Sequence, residues 1–418
     1  METLLVEGGR RLDGALTVHG AKNSALPVLA ATLLATGQSE IDNCPRLSDV
    51  RAALAILREL GCAARQEGDV VTVDSGGLCR SEIPDHLMRE MRSSIVFLGA
   101  MLARTGEATL SFPGGCELGP RPIDLHLAAL EKLGAEVREE HGRLYCRAPA
   151  RLHGTAITLA LPSVGATENI LLAAATAEGT TVIRNAAREP EIADLCCYLT
   201  AAGAHIAGAG ESTITVEGVP RLHGCRHRVI PDRIEAATYM AAAAATGGRL
   251  LLRCVEPEHL APVLPAFEEA GCRLSWQGAE LRLLASPRPR RMPMIRTLAY
   301  PGFPTDAAAP LLAMACVADG TSLFIENIFE NRYKYVGELS RMGAHVKVEG
   351  RVAVVEGVPA LYGTQVACTD LRGGAALVTA ALAAQGETEI RELHHLDRGY
   401  EALEDCLSAV GAAVRRIG

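Results

Sequence analysis

Apolar and polar positions along this chain follow a pattern that restarts six times. Each round opens on a short alternating run, continues into an apolar segment and a second alternating run, and closes with an amphipathic segment at helical spacing and a hairpin-like pair of runs. The amphipathic segment always ends on a glycine followed by Ala or Cys, the glycines being Gly61, Gly134, Gly203, Gly271, Gly343 and Gly411. A glycine just past a helical stretch is a stop signal. Their spacing of about 70 residues is too long for the common solenoid repeats and suits a complete strand, helix, strand, helix and hairpin unit. The fourth round shows the parts: a strand at 228–230, a helix at 234–246, a strand at 249–254, a second helix at 260–270 and a hairpin over 273–284.

The first helix of a round is apolar on nearly every side, as over 26–34, 169–177, 236–245 and 375–384, and is therefore expected to be buried. Alanine-rich walls let such helices pack closely, so three rounds can enclose their first helices inside a ring of sheets. The expected result is two similar lobes, the first three rounds ending near Arg226 and the last three beginning near Arg228, with the cleft between them as the default ligand site. Cys62 and Cys272 stand where the other rounds carry alanine and read as packing residues.

Composition narrows the partners. A chain of 418 residues exceeds what one core usually serves, which agrees with two domains. Aromatic residues make up 4%, with Trp276 the single tryptophan, and the net charge is −8, which excludes base-stacking platforms and argues against a nucleic-acid or membrane surface. The first residues lack a basic region followed by an apolar one, and no apolar run reaches the length of a membrane span, so the protein is expected to be soluble and cytoplasmic. Thirteen cysteines without C-x-x-C spacing read as reduced thiols rather than disulfides or a zinc site.

Candidate chemistry gathers where helices begin. The stretch from Pro113 to His126 packs three glycines and three prolines around Cys116, Arg121, Glu117 and Asp124, a composition that cannot continue a helix and leaves the thiol reachable in a hinged loop. Arg121 favours the thiolate if the loop folds back. Acidic residues at helix starts, such as Asp232, Asp370 or the Glu189 and Glu191 pair, read first as caps or first-turn carboxylates. Basic residues there are different, because they oppose the helix dipole. Lys22, Arg92, Arg121, Arg332, Arg372 and Arg398 recur at such positions and point to an anion held among them, a site for phosphate and carboxylate groups.

The residues Gly20-Ala21-Lys22-Asn23-Ser24-Ala25-Leu26-Pro27 resemble the opening motif of the UDP-N-acetylglucosamine 1-carboxyvinyltransferase family. Further blocks follow in the family's order: Met91 to Ile95, Pro113 to His126, Ser163 to Thr167, Ala187 to Glu191, Tyr300 to Asp306, Glu330 to Arg332, Asp370 to Arg372 and Asp397 to Glu401. Each block is weak alone; their succession along nearly the whole chain is specific. The resemblance implies an α/β architecture, a two-domain inside-out α/β barrel of the EPSP synthase-like kind, built from six similar βαβαββ units, three per domain. It places the first domain at 22–229, with the Cys116 loop, and the second at 1–21 plus 230–418.

The activity it implies is transfer of the enolpyruvyl group of phosphoenolpyruvate to the 3′-hydroxyl of UDP-N-acetylglucosamine with release of phosphate, the first committed step of peptidoglycan synthesis. Such an addition and elimination needs a proton donor to the methylene carbon, a base for the hydroxyl proton and preorganised countercharge. By resemblance Cys116 is the acid and covalent residue and the target of an epoxide phosphonate such as fosfomycin, Asp306 is the base, and Lys22, Arg121 and Arg398 hold phosphoenolpyruvate. Asn23, Arg92, Arg121, Pro122, Ile123, Asp124, Leu125, Ser163, Val164, Gly165, Asp306 and Ile328 match positions lining the nucleotide-sugar site. Arg332, Asp370 and Arg372 match residues around Asp306 and the anions. The resemblance implies phosphoenolpyruvate and UDP-N-acetylglucosamine as small-molecule partners, with no cofactor, no metal, no nucleic acid and no membrane.

Two departures stand out. Ala307-Ala308-Ala309-Pro310 replaces the family's Met-Gln-Ala-Gln, with Pro310 acceptable if it falls in the first helical turn, and Leu161-Pro162 stands before Ser163 where some members have a lysine. Two other readings compete with the transferase. A shikimate-type enolpyruvyl transferase has a similar barrel but a serine-rich opening motif and no Cys-Glu-Leu-Gly-Pro-Arg loop. A nucleotide-sugar sensor on the same fold binds without turnover.

Overall fold

A computed structural model describes residues 2–112 and 123–418. The chain divides into two compact units: residues 20–112 with 123–230, and residues 2–19 with 231–418. Each has its own hydrophobic core.

In the unit containing residue 20, three inner helices are α1 (Lys22–Ala31), α2 (Phe97–Thr105) and α3 (Val164–Ala174). In the other unit they are α4 (Arg233–Ala245), α5 (Thr305–Ala315) and α6 (Leu371–Ala383). They are buried on almost every side, as their all-apolar sequences require; in α5 every residue from Ala307 to Ala315 is buried. The helices α4, α5 and α6 pack on one another, as α2 does on α1 and α3. Small residues permit the close approach. A Cβ on Gly99 of α2 would lie 2.3 Å from the Asn169 carbonyl oxygen on α3.

Each core is walled by three sheets of three or four strands, whose central strands alternate buried and less buried positions, and Ala35–Thr36 pairs with Leu222–His223 as a further short sheet. In one unit the strand orders are Arg226–Arg228, Gln38–Asp42, Val70–Asp74, Ala63–Glu67; then Glu107–Ser111, Arg143–Arg147, Glu136–Glu140; then Ala156–Thr158, Thr180–Arg184, Thr213–Glu217, His205–Ala207. In the other they are Asp13–Thr17, Arg249–Arg253, Glu280–Leu284, Arg273–Gln277; then Ile295–Arg296, Thr321–Ile325, Val352–Glu356, His345–Glu349; then Gln365–Ala367, Glu387–Arg391, Thr3–Glu7, Ala413–Ile417. Every four-stranded sheet begins with a parallel pair and continues antiparallel.

The six repeat glycines behave alike. Each has a positive φ, between 91° at Gly271 and 107° at Gly203, and the residue after it donates its N–H to a carbonyl five positions back, from Cys62 to Leu57 through to Ala412 to Leu407. This is a left-handed helix stop, which glycine adopts without a Cβ penalty. Cys62 and Cys272 are buried behind two of these stops, and burial pushes their thiols up to about 11 and about 12. Every cysteine among the described residues is a free thiol.

Three expectations are corrected. The strand assigned to the start of the fourth round lies at Arg226–Arg228 and pairs in parallel with Gln38–Asp42 of the first round, while Asp13–Thr17 takes the corresponding place beside Arg249–Arg253. A three-residue parallel strand carries no local signal for its partner, and here an Arg226 to Asp42 ion pair at 2.7 Å accompanies the register. The second helix of the fourth round is broken into Pro257–Leu260 and Leu264–Glu269, because Pro262 has no N–H to continue the first piece. Pro310 is the sixth residue of α5, beyond the first turn, so the Asp306 carbonyl lacks the usual i+4 donor. No helix among the described residues is long and apolar enough to cross a membrane.

Candidate active site

In the unit that holds residues 231–418, the start of α5 is where charge concentrates. Asp306 is the second residue of that helix, and two guanidiniums converge on its carboxylate: Arg332 Nη2 donates to Oδ1 at 2.7 Å and Arg372 Nη2 to Oδ2 at 3.2 Å. Burial divides the roles. Both arginine side chains are sealed, at 2% and 3% exposure, whereas the Asp306 side chain keeps 27% of its surface open.

The arginines are themselves fixed. Arg332 also donates to the Thr305 carbonyl at 3.0 Å and lies over the Phe329 ring at 5.5 Å. Thr305 in turn donates to buried Glu326, whose other oxygen accepts the N–H groups of Ile328 and Phe329. Arg372 donates from Nη1 to the Tyr400 hydroxyl at 3.1 Å, and that hydroxyl lies 2.9 Å from Thr238 Oγ1 on α4. Burial pulls the Arg372 pKa down, but Tyr400, Asp306 and Asp232 outweigh it and hold the guanidinium firmly charged. Burial raises the Asp232 carboxyl above the usual range although Arg372 opposes the shift. A carboxylate with one edge open and two fixed cations behind it can accept a proton from a hydroxyl and stay oriented while doing so.

Asp370 has the capping role that its position suggested: Oδ1 accepts the N–H groups of Arg372 and Gly373 at 3.1 and 3.0 Å. Ile328 is 42% exposed, and its backbone N–H donates to Glu326. Arg398 is half-buried and ends a 3-10 turn over Leu393–Arg398. Arg332 and Arg398 both stand ahead of the second helices of their rounds, where the sequence placed them. Arg332 lies in the turns before Val336–Arg341, and Arg398 precedes Leu403–Ala409 by several residues.

In the unit that holds residues 20–230, basic and polar residues do stand at helix starts. Lys22 opens α1, and its Nζ meets Asp49 Oδ2 at 2.5 Å, with side-chain exposures of 9% and 2%. Asn23 is exposed. Ser24, next along α1, donates to Asp194, which also lies 3.0 Å from His227 Nε2. Arg92 begins the 3-10 turn Arg92–Val96 ahead of α2. Ile123 is buried and caps the helix Asp124–Lys132, in which Asp124 is exposed and Leu125 half-buried. Ser163 caps α3, its Oγ accepting the Ala166 N–H at 3.3 Å, with Val164 and Gly165 half-buried behind it. Cys116, Arg121 and Pro122, with the loop that carries them, lie outside the described residues.

A buried polar cluster supports α3. His126 packs against Gly165, where a Cβ would sit 2.8 Å from its ring, and a ring nitrogen lies 2.9 Å from Asn169 Nδ2. Asn169 accepts the Gly99 N–H and donates to the Ile95 carbonyl, tying α3 to α2. Burial drives the His126 imidazole down to about 4, Asp124 opposing, and pushes the Glu168 carboxyl up to about 8, reinforced by Glu191 and Glu189. Sequence reasoning passed over Asp49, Asp194, Glu326 and the bonding of Tyr400. Asp49 stands in the first turn of Ser48–Glu59, and its partner Lys22 is 27 positions away in the chain.

The sequence profile of the EPSP synthase (3-phosphoshikimate 1-carboxyvinyltransferase) family matches residues 6–407. The chain is 52% identical over 412 residues to UDP-N-acetylglucosamine 1-carboxyvinyltransferase 2 of Caldanaerobacter subterraneus subsp. tengcongensis, covering 99% of each. It is 48% identical to the UDP-N-acetylglucosamine 1-carboxyvinyltransferase of Dichelobacter nodosus, covering 100% of this chain and 99% of that one. Among solved structures, the enolpyruvyl transferase NikO from Streptomyces tendae superposes with a TM-score of 0.89 at 29% identity, over 99% and 98% of the two chains. An EPSP synthase from Acinetobacter baumannii, at 18% identity and a TM-score of 0.73 over 100% of both chains, shares the fold.

Proposed function

From the premise that the chain belongs to the EPSP synthase family, and within it to the UDP-N-acetylglucosamine 1-carboxyvinyltransferases, we propose that it moves the enolpyruvyl group of phosphoenolpyruvate onto the 3′-hydroxyl of UDP-N-acetylglucosamine and releases phosphate. The observation that carries this reading is full-length likeness to transferases of that name; the geometry around Asp306 supports the assignment of its base. The reaction serves peptidoglycan synthesis.

In this reading the sugar hydroxyl attacks C2 of phosphoenolpyruvate while a proton reaches C3. Asp306 takes the hydroxyl proton, and Arg332 and Arg372 hold it in aim. The C–O bond to phosphate then breaks as a proton leaves C3, restoring the double bond on the transferred group. Cys116 supplies the proton to C3, and Lys22, Arg121 and Arg398 neutralise the phosphate and carboxylate. Asn23, Arg92, Pro122 to Leu125, Ser163 to Gly165 and Ile328 line the nucleotide-sugar position, with Asp370 holding the start of α6. Alanines at 307–309 and Pro310 are all buried in α5, so this departure from the family falls on the packed side of the helix rather than on the open edge of Asp306.

Phosphate release from phosphoenolpyruvate is the direct assay. It should depend on UDP-N-acetylglucosamine and not on shikimate 3-phosphate. Release with shikimate 3-phosphate alone would replace this substrate, and nucleotide-sugar binding without release would remove the activity.

A further inference from the structure

The last strand of the chain, Ala413–Ile417, carries an arginine whose partners lie on three other segments. Arg416 grips Asp397 with both terminal nitrogens, at 2.7 and 3.1 Å, in the two-pronged geometry that fixes a carboxylate's orientation as well as its charge. Its Nε lies 2.9 Å from Glu404 Oε1 at the start of the helix Leu403–Ala409, and Nη1 donates to Glu2 at 2.9 Å. One cation thus holds three carboxylates together. Removing it leaves Glu2, Asp397 and Glu404 repelling one another across the space it filled.

Asp397 immediately precedes Arg398 in the 3-10 turn Leu393–Arg398, and this turn lies directly on the start of α6. A Cβ on Gly399 would come within 2.7 Å of Leu371, and one on Gly374 within 2.9 Å of Leu396. Tyr400, two residues beyond, accepts from Arg372. The segment 396–400 is therefore wedged against the helix whose first turn holds Asp370 and Arg372, and its far side is held by Arg416.

We propose that Arg416 is a positioning residue for the reaction: by clamping Asp397 it fixes the turn that presents Arg398 to the anionic substrate. This rests on the reading of Arg398 as a phosphoenolpyruvate-binding residue. The clamp acts on ground-state capture of the anion, so its loss separates the two substrates kinetically, which a general loosening of the fold does not.

The test is steady-state kinetics of the full chain with each substrate varied in turn, beside a thermal melt. Arg416→Met keeps the volume of the stem and removes the charge. It should raise KM for phosphoenolpyruvate about tenfold while KM for UDP-N-acetylglucosamine stays within about twofold. Asp397→Asn, which keeps the shape of the turn, should raise the same KM about threefold and serves if the first variant does not fold. Added to Arg398→Ala, Arg416→Met should bring no further rise. Both KM values rising together, neither moving, or independent multiplication of the two effects would overturn the proposal. If Arg398→Ala itself leaves KM for phosphoenolpyruvate unchanged, the underlying reading of Arg398 fails as well; if that variant raises it and Arg416→Met does not, only the clamp fails.

Discussion

Asp306 and Asp49 are both aspartates at helix starts paired with basic side chains, and the two units bury them differently. Around Asp306 the cations are sealed and the carboxylate is open, at 27% against 2% and 3%. Around Asp49 both members of the pair are buried, the carboxylate at 2% and Lys22 at 9%. The difference teaches which partner a pair presents. Two buried guanidiniums hold a carboxylate that keeps an open edge, whereas a sealed carboxylate holds one lysine in place. An acid–base role suits the first and a structural countercharge suits the second.

The sharpest way to break this contrast is Asp306→Asn. It preserves volume and hydrogen bonding to one arginine but removes the basic oxygen, and kcat should fall about a thousandfold with UDP-sugar affinity within about threefold. Near-normal turnover would strip Asp306 of its role. Asp49→Asn should behave in the opposite manner. Leaving the Lys22 ammonium buried without its countercharge should reduce unfolding free energy by about 3 kcal/mol in urea titration. Unchanged stability with a collapse of kcat would place Asp49 in the same class as Asp306.

A smaller effect tests whether Gly165 serves packing or ligand. Gly165→Ala sets a methyl group 2.8 Å from the His126 ring, and the protein should lose about 1–3 kcal/mol of stability. Intact stability with a raised KM for the nucleotide sugar would assign the glycine to the substrate instead. The smallest effect is expected from Glu168→Gln. A solvated glutamate ionises near 4.5 and this one near about 8, so between those values the folded chain holds a proton that the unfolded chain has released, and stability declines as pH rises through the window. The urea midpoint of the Gln variant should therefore decline less from about pH 5 to about pH 8 than that of the parent. His126 acts in the other direction: its pKa is lowered to about 4, so its contribution is lost as pH falls from about 6.5 toward that value. Equal slopes in parent and variant would show that Glu168 does not titrate in this range.

Much of the architecture is legible in the amino-acid sequence. The six glycine stops and the all-apolar first helices depend on local properties, left-handed backbone and side-chain periodicity, and both appear where the pattern put them. The lysine and arginines at 22, 332 and 372 were marked as important by their charge at or near helix starts. Arg332 stands in the turn before a second helix, and its bonds to Thr305 and Asp306, which no local pattern shows, are what fix it.

What amino-acid order determined by itself was the repeat, the burial of its inner helices and the residue types available for anion chemistry, because each is written within a few residues of chain. Folding in three dimensions decided that Arg226–Arg228 pairs with Gln38–Asp42 and Asp13–Thr17 with Arg249–Arg253, that Asp306 keeps an open edge while Arg332 and Arg372 hold it, and that Arg416 reaches Asp397. Those pairings join residues tens to hundreds of positions apart. They are selected by strand register, by the small residues that let helices meet, and by the cost of leaving a buried charge unmatched, none of which has a local signature in the chain.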